Sequence, residues 1–78
     1  MTTLQQIGEI INEVGYPVSI PITGKTRLEK DLAFDSMDRV ELIMAIELHW
    51  NIEIDDESAW GAQTIGDLVN IIDRLKSK

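Results

Sequence analysis

Apolar residues recur at intervals of three and four positions in three segments of the chain, the spacing that places side chains on one face of an α-helix. The segments run from Leu4 to Val14, from Asp35 to Trp50 and from Thr64 to Leu75. The chain has no cysteine for disulfides, and its 78 residues can form only one small hydrophobic core. The sequence therefore predicts an all-α fold in a single domain, residues 1–78.

Helix ends are marked by residues with known capping chemistry. Gly15 and Pro17 predict the end of the first helix, and a short further helix is expected from Asp56 to Trp60, closed by Gly61. Pairs that fit a capping box stand at the three longer helix starts: Thr3 with Gln6, Asp35 with Asp38, and Thr64 with Asp67. We therefore expect a small four-helix bundle with three longer helices and one short one.

A long connection from Tyr16 to Asp35 separates the first two helices. Val18, Ile20 and Ile22 alternate as in a β-strand, but no second strand is evident nearby, and an unpaired strand leaves its backbone groups unsatisfied. We predict an ordered loop whose aliphatic side chains lie across the helices. Loops of this length are often functional.

The charge balance excludes several classes of partner. Fourteen acidic and seven basic residues give a net charge of -7, which repels nucleic acid and favours proteins with basic patches. The N-terminus lacks a secretion signal, and the longest apolar run, Leu42 to Ile46, is too short to span a bilayer. We expect a cytoplasmic monomer without a membrane span.

The second helix is apolar on two sides. At helical spacing, Ser36 shares a stripe with Val40, Met44 and Glu47, flanked by Met37 and Glu41, and the opposite side carries Leu42, Ile43, Ile46 and Trp50. One side must enter the core. The other, rimmed by acids, either docks a partner or is buried by neighbouring helices, and the adaptable methionines favour docking.

Ser36 follows the capping residue Asp35, so its hydroxyl lies at a helix start, where backbone amides and the helix dipole favour negative charge. A phosphodiester would be stabilised there. A serine at a helix start is common, however, and by itself indicates only good capping chemistry.

The segment Leu32-Ala33-Phe34-Asp35-Ser36-Met37-Asp38, followed by Val40-Glu41-Leu42, resembles the Asp-Ser-Leu attachment motif of acyl carrier proteins. The resemblance covers the whole order of elements: helix, long loop, Asp-Ser at the head of an acidic helix, short helix and final helix. It implies that a phosphopantetheinyl transferase attaches 4'-phosphopantetheine to Ser36, beside Asp35. Acyl intermediates of fatty acid, lipid or polyketide-type synthesis then travel as thioesters on its sulfur.

The same resemblance assigns partner-reading roles on the second helix to acids and to apolar residues. The acids are Asp35, Asp38, Glu41 and Glu47, and the apolar contacts are Met37, Val40 and Met44. Their partners are expected to be acyl-loading and acyl-processing enzymes with basic docking patches. The resemblance also implies a gap between helices that holds the acyl chain.

The chain departs from the family pattern at three positions, and these departures leave open which biosynthetic pathway the carrier serves. Met37 stands where leucine is usual, bulky Phe34 precedes Asp35, and basic Arg39 lies in the acidic helix, placed to pair with Asp35 one turn back. The alternative functions are an unmodified acidic interaction module and an aminoacyl or peptidyl carrier.

No enzyme activity and no metal site are predicted. The only histidine, His49, lies thirteen residues beyond Ser36 on the same predicted helix, too far to act as its base. Gly24-Lys25-Thr26 lacks the first glycine of a phosphate-binding loop. Trp50 and Trp60 are expected in the core or at its edge.

Overall fold

The computed structural model describes residues 2–16 and 20–76, which form a bundle of four helices. The helices are α1 (Thr3–Glu13), α2 (Ser36–Trp50), α3 (Asp56–Gly61) and α4 (Ile65–Lys76). No strand occurs among the described residues, where Arg27 and Thr64 form an isolated antiparallel bridge. The predicted all-α class, the order of the helices and the short third helix are confirmed.

The predicted cap of α1 is wrong by one residue. Thr2, not Thr3, is the N-cap, and its hydroxyl accepts the Gln5 amide while the Gln5 side chain accepts the Thr2 amide. The sequence repeats both residue types, as Thr2-Thr3 and Gln5-Gln6, so either register satisfies the capping pattern. The caps at Asp35–Asp38 and Thr64–Asp67 are present as predicted.

The end of α1 is a Schellman motif. Gly15 adopts a φ of 93° beyond the C-cap Val14. The Gly15 amide then donates to the Asn12 carbonyl at 3.1 Å, and the Tyr16 amide donates to the Ile11 carbonyl at 3.3 Å. This turn fixes where Tyr16 leaves the helix. The predicted stop residue Pro17 lies outside the described residues.

One hydrophobic core joins the longer helices with the loop between α1 and α2. α1 contacts both α2 and α4. The radius of gyration is 11.3 Å, close to the roughly 11.5 Å expected for a compact chain of this length. The residues that are fully or almost fully buried come from α1, the loop, α2 and α4: Ile7, Ile11, Leu28, Leu42, Ile46, Ile65, Leu68 and Ile72.

The long connection is an ordered loop over its described part. Ile22 packs against the core, Ile20 is 43% exposed, and Val18 lies outside the described residues. Three backbone hydrogen bonds of 2.9 Å tie the loop to the start of α4: Leu28 to Gln63, Ile65 to Thr26, and Gly66 to Gly24. The Gly24-Lys25-Thr26 segment therefore anchors the loop to α4.

The two tryptophans differ in environment. Trp50 packs against the core, as expected, whereas Trp60 is 52% exposed on α3. None of the helices found among the described residues has the length and apolar character needed to cross a membrane.

Candidate functional site

Ser36 is the first residue of α2 and is exposed. The cap is made by its neighbours: the Asp38 amide donates to Asp35 Oδ1 at 2.9 Å, and the Asp35 amide donates to Asp38 Oδ2 at 3.0 Å. Because this reciprocal pair satisfies the helix start, the Ser36 side chain has no part in the cap. Its hydroxyl is therefore accessible to another molecule.

The helix start also determines the local electrostatics. The amide of Asp35 and the hydroxyl of Tyr16 hold the pKa of the Asp38 carboxyl below its usual range. The free amides and the dipole at the start of a 15-residue helix favour an anion beside Ser36. An exposed hydroxyl at this position fits a phosphodiester group, which carries one negative charge.

The predicted apolar stripe of α2 is exposed and not covered by a neighbouring helix. Met37 is 69% exposed, Val40 41% and Met44 56%. Leu48, which the sequence reasoning missed, is 83% exposed one turn beyond Met44. The sequence contained the signal for it, because Leu48 continues the helical spacing of residues 37, 40 and 44. We call Met37, Val40, Met44 and Leu48 the apolar stripe.

The acids beside this stripe have structural partners of their own. The Tyr16 hydroxyl donates to Glu41 Oε2 at 2.6 Å. The Ile54 amide donates to Glu47 Oε2 at 2.8 Å, so half-buried Glu47 fixes the link between α2 and α3. Glu41 is exposed and lies on the same face as Met37 and Met44. Of the two glutamates, Glu41 is the more accessible to a partner.

Arg39 does not pair with Asp35, contrary to the sequence prediction. The residue is only 8% exposed and points toward α3. Its Nη2 donates to the carbonyls of Ala59 at 3.0 Å and Trp60 at 3.4 Å, and also to that of Ala62. Carbonyls at a helix end lack partners within the helix, so Arg39 supplies donors that the six-residue α3 lacks.

A cleft of about 160 Å³ lies between α2 and α3. Arg39 lines its edge, and its guanidinium lies 5.6 Å from the centre of the Trp60 ring. The cleft adjoins the apolar stripe, with which it shares Val40 and Met44. Its other aliphatic lining residues come from the two helices and the link between them: Ile43, Ile54 and Ala59.

Comparison with known proteins places the sequence in one family. Residues 5–72 match the family model described as the phosphopantetheine attachment site. The chain is 40% identical over 73 residues to an acyl carrier protein of Prochlorococcus marinus (strain MIT 9515), covering 94% of this chain and 91% of that relative.

Solved structures of acyl carrier proteins have the same fold. The crystal structure from Thermotoga maritima superposes with a TM-score of 0.84 at 26% identity, covering 94% of this chain and 85% of the other. The solution structure of a holo acyl carrier protein from Geobacter metallireducens gives a TM-score of 0.84 at 27% identity, covering 99% of this chain and 88% of the other. The chain therefore belongs to the acyl carrier protein family, the carriers with a phosphopantetheine attachment site.

Proposed function

We propose that Ser36 bears the phosphopantetheine arm of this carrier, and that the α2 surface beside it is the docking face for partner enzymes. The chain is a carrier and not an enzyme, and its cofactor is phosphopantetheine. When bound, that group supplies a thiol on which acyl groups are held as thioesters. The protein's own residues present the arm and identify the carrier to its partners.

The observation that carries the first proposal is the exposed Ser36 hydroxyl outside the Asp35–Asp38 cap. Attachment there leaves every capping hydrogen bond in place. The helix dipole stabilises the phosphodiester, and Asp35 fixes the backbone that presents it. Among the described residues the other serine, Ser58, is half-buried and donates its hydroxyl to Asp55 at 2.8 Å.

The docking face consists of the exposed apolar side chains of α2 together with the acids that rim them. We assign apolar contacts to Met37, Val40 and Met44 and electrostatic steering to Asp35, Asp38 and Glu41, with Glu47 at the edge of the face. Exposed charges of this kind raise association rates with oppositely charged partners and contribute little to folding. We infer partners with basic patches: a phosphopantetheinyl transferase and the enzymes that load and process acyl groups.

The docking face is tested by the kinetics of arm transfer from coenzyme A by a broad-specificity transferase. Glu41→Lys and Met44→Ser should each raise KM for the carrier several-fold while helix content stays constant. The matched control is Glu57→Lys, an exposed charge reversal in α3, which should change KM less than about twofold. Equal effects of Glu41→Lys and Glu57→Lys would mean that only net charge matters, and that no docking face exists on α2.

We place the carrier in the cytoplasm as a monomer. The support is its kinship with acyl carrier proteins and a net charge of -7, which repels second copies. Sedimentation at low and high protein concentration tests the monomer, because a concentration-dependent mass would contradict it.

A further inference from the structure

One side chain from outside α2 reaches the acidic rim of the docking face, and the loop and α1 hold it there. The Schellman motif at Gly15 fixes the Tyr16 backbone. The Tyr16 ring then packs against the Phe34 ring, with centroids 4.8 Å apart and planes tilted by 45°. Phe34 is 4% exposed, and its amide donates to the Leu28 carbonyl at 3.0 Å. Tyr16 is therefore held through its backbone and through its ring.

The Tyr16 hydroxyl uses this fixed position to bind Glu41. It donates to Glu41 Oε2 at 2.6 Å, a short hydrogen bond of the kind formed with a charged acceptor. The hydrogen bond to Glu41, followed by burial and by the interaction with Asp38, raises the pKa of the phenol, which acts as a neutral donor. A carboxylate has about four acceptor positions, so Glu41 can still accept hydrogen bonds from a partner's cation.

We propose that Tyr16 is a positioning residue for partner recognition, because its hydroxyl holds the Glu41 carboxylate in the orientation that a basic partner binds. This inference rests on the docking face proposed above. A free glutamate loses rotamer freedom when a partner binds it, whereas Glu41 loses that freedom when the protein folds. Because this entropy loss no longer occurs on binding, the affinity for the partner should be roughly 2- to 10-fold higher.

The test is a double-mutant cycle on the Kd between the carrier and a phosphopantetheinyl transferase, measured calorimetrically without coenzyme A. Tyr16→Phe keeps the ring on Phe34 and removes only the hydroxyl, and it should weaken binding roughly 2- to 10-fold. In a Glu41→Gln background the same change should alter Kd less than about twofold. The loss caused by Tyr16→Phe should also shrink when ionic strength is raised to about 0.5 M.

Controls separate positioning from damage to the fold and from failure of the carrier assignment. Glu9→Gln, at an exposed position of α1, should leave Kd unchanged. Equal effects of Tyr16→Phe in both backgrounds, or no effect in either, would overturn the role of Tyr16. Adding coenzyme A to the wild type then tests the carrier assignment separately. A wild type that binds but accepts no arm would refute the Ser36 proposal while the cycle still decides on Tyr16.

Discussion

Replacing Arg39 with methionine should destabilise the protein more than the same replacement at the exposed Arg27. Methionine approximates the apolar stem of arginine but has no donor for the carbonyls of Ala59, Trp60 and Ala62, which Nη2 reaches in the wild type. One nitrogen with two protons can form two good hydrogen bonds at a time. The loss therefore corresponds to about two charge-assisted hydrogen bonds, each contributing roughly 1.5–3 kcal/mol.

A second effect reduces this loss. Arg39 is 8% exposed, so its charge is largely desolvated, and the carboxylate of Glu29 lies 4.0 Å away on a side chain that is 75% exposed. Methionine avoids that desolvation. We expect a net loss of about 2–4 kcal/mol in the free energy of unfolding. For a domain of this size that lowers Tm by roughly 10–30 °C.

Urea and thermal unfolding followed by circular dichroism measure the loss, and hydrogen exchange locates it. The amide of Ala62 in wild-type protein donates to the Ser58 carbonyl at 3.2 Å at the end of α3. In Arg39→Met, exchange of the α3 amides should accelerate more than that of the α1 and α4 amides, because α3 loses the hydrogen bonds that Arg39 of α2 donates to it. Arg39→Lys, which keeps the charge, should have a free energy of unfolding between those of the wild type and Arg39→Met. It replaces Arg39→Met in these measurements if the methionine variant does not fold.

The matched control is Arg27→Met. Arg27 pairs with Asp31 at 3.5 Å with a side chain that is 53% exposed, and exposed ion pairs contribute about 0–1 kcal/mol. If Arg39→Met is no less stable than Arg27→Met, desolvation cancels the hydrogen bonds and Arg39 does not hold α3.

Three further predictions concern the backbone and the acid response. Gly66→Ala should destabilise by more than about 1 kcal/mol, because its Cβ would lie 2.6 Å from the Gly24 carbonyl oxygen, whereas Gly61→Ala, with nothing within 4 Å, should be neutral in urea titration. Ala33→Gly should raise Tm by several degrees, since Ala33 has a φ of 58°, and an unchanged or lower Tm would show that the backbone there is not strained. The free energy of unfolding should fall as the pH drops below about 4, because hydrogen bonds lower the pKa of four carboxylates: Asp31, Asp38, Asp55 and Asp67. Their stabilisation is present above the unfolded pKa of 3.8 and is lost as the folded carboxylates protonate. A free energy of unfolding that stays constant from about pH 4 to pH 2.5 would contradict this.

The helices and the two apolar sides of α2 were predictable because they depend on local chemistry. Capping at Asp35 and Asp38 involves residues three apart, and apolar spacing alone separates Leu42 and Ile46 from Met44. The α1 cap was missed by one residue, because adjacent threonines and adjacent glutamines make two registers equivalent.

The contacts that connect distant segments were not predictable from spacing. Arg39 has an acid one turn back, as the local rule requires, yet carbonyls twenty or more residues away bind it instead. The role of Glu47 was equally hidden, because its partner is the backbone amide of Ile54 and not a side chain. Backbone partners leave no signal in residue type, so only the folded chain reveals them.

The most direct test of Ser36 as the attachment point is tandem mass spectrometry of the protein after incubation with coenzyme A and a transferase. We expect one phosphopantetheine group per chain, located by fragmentation on Ser36. Ser36→Ala should remain unmodified and folded, because the cap lies in Asp35 and Asp38 and alanine favours helix at this position. The assignment to Ser36 would be contradicted by a group found on Ser58, or on Ser19 or Ser77 outside the described residues. A folded wild type that accepts no group would contradict it as well.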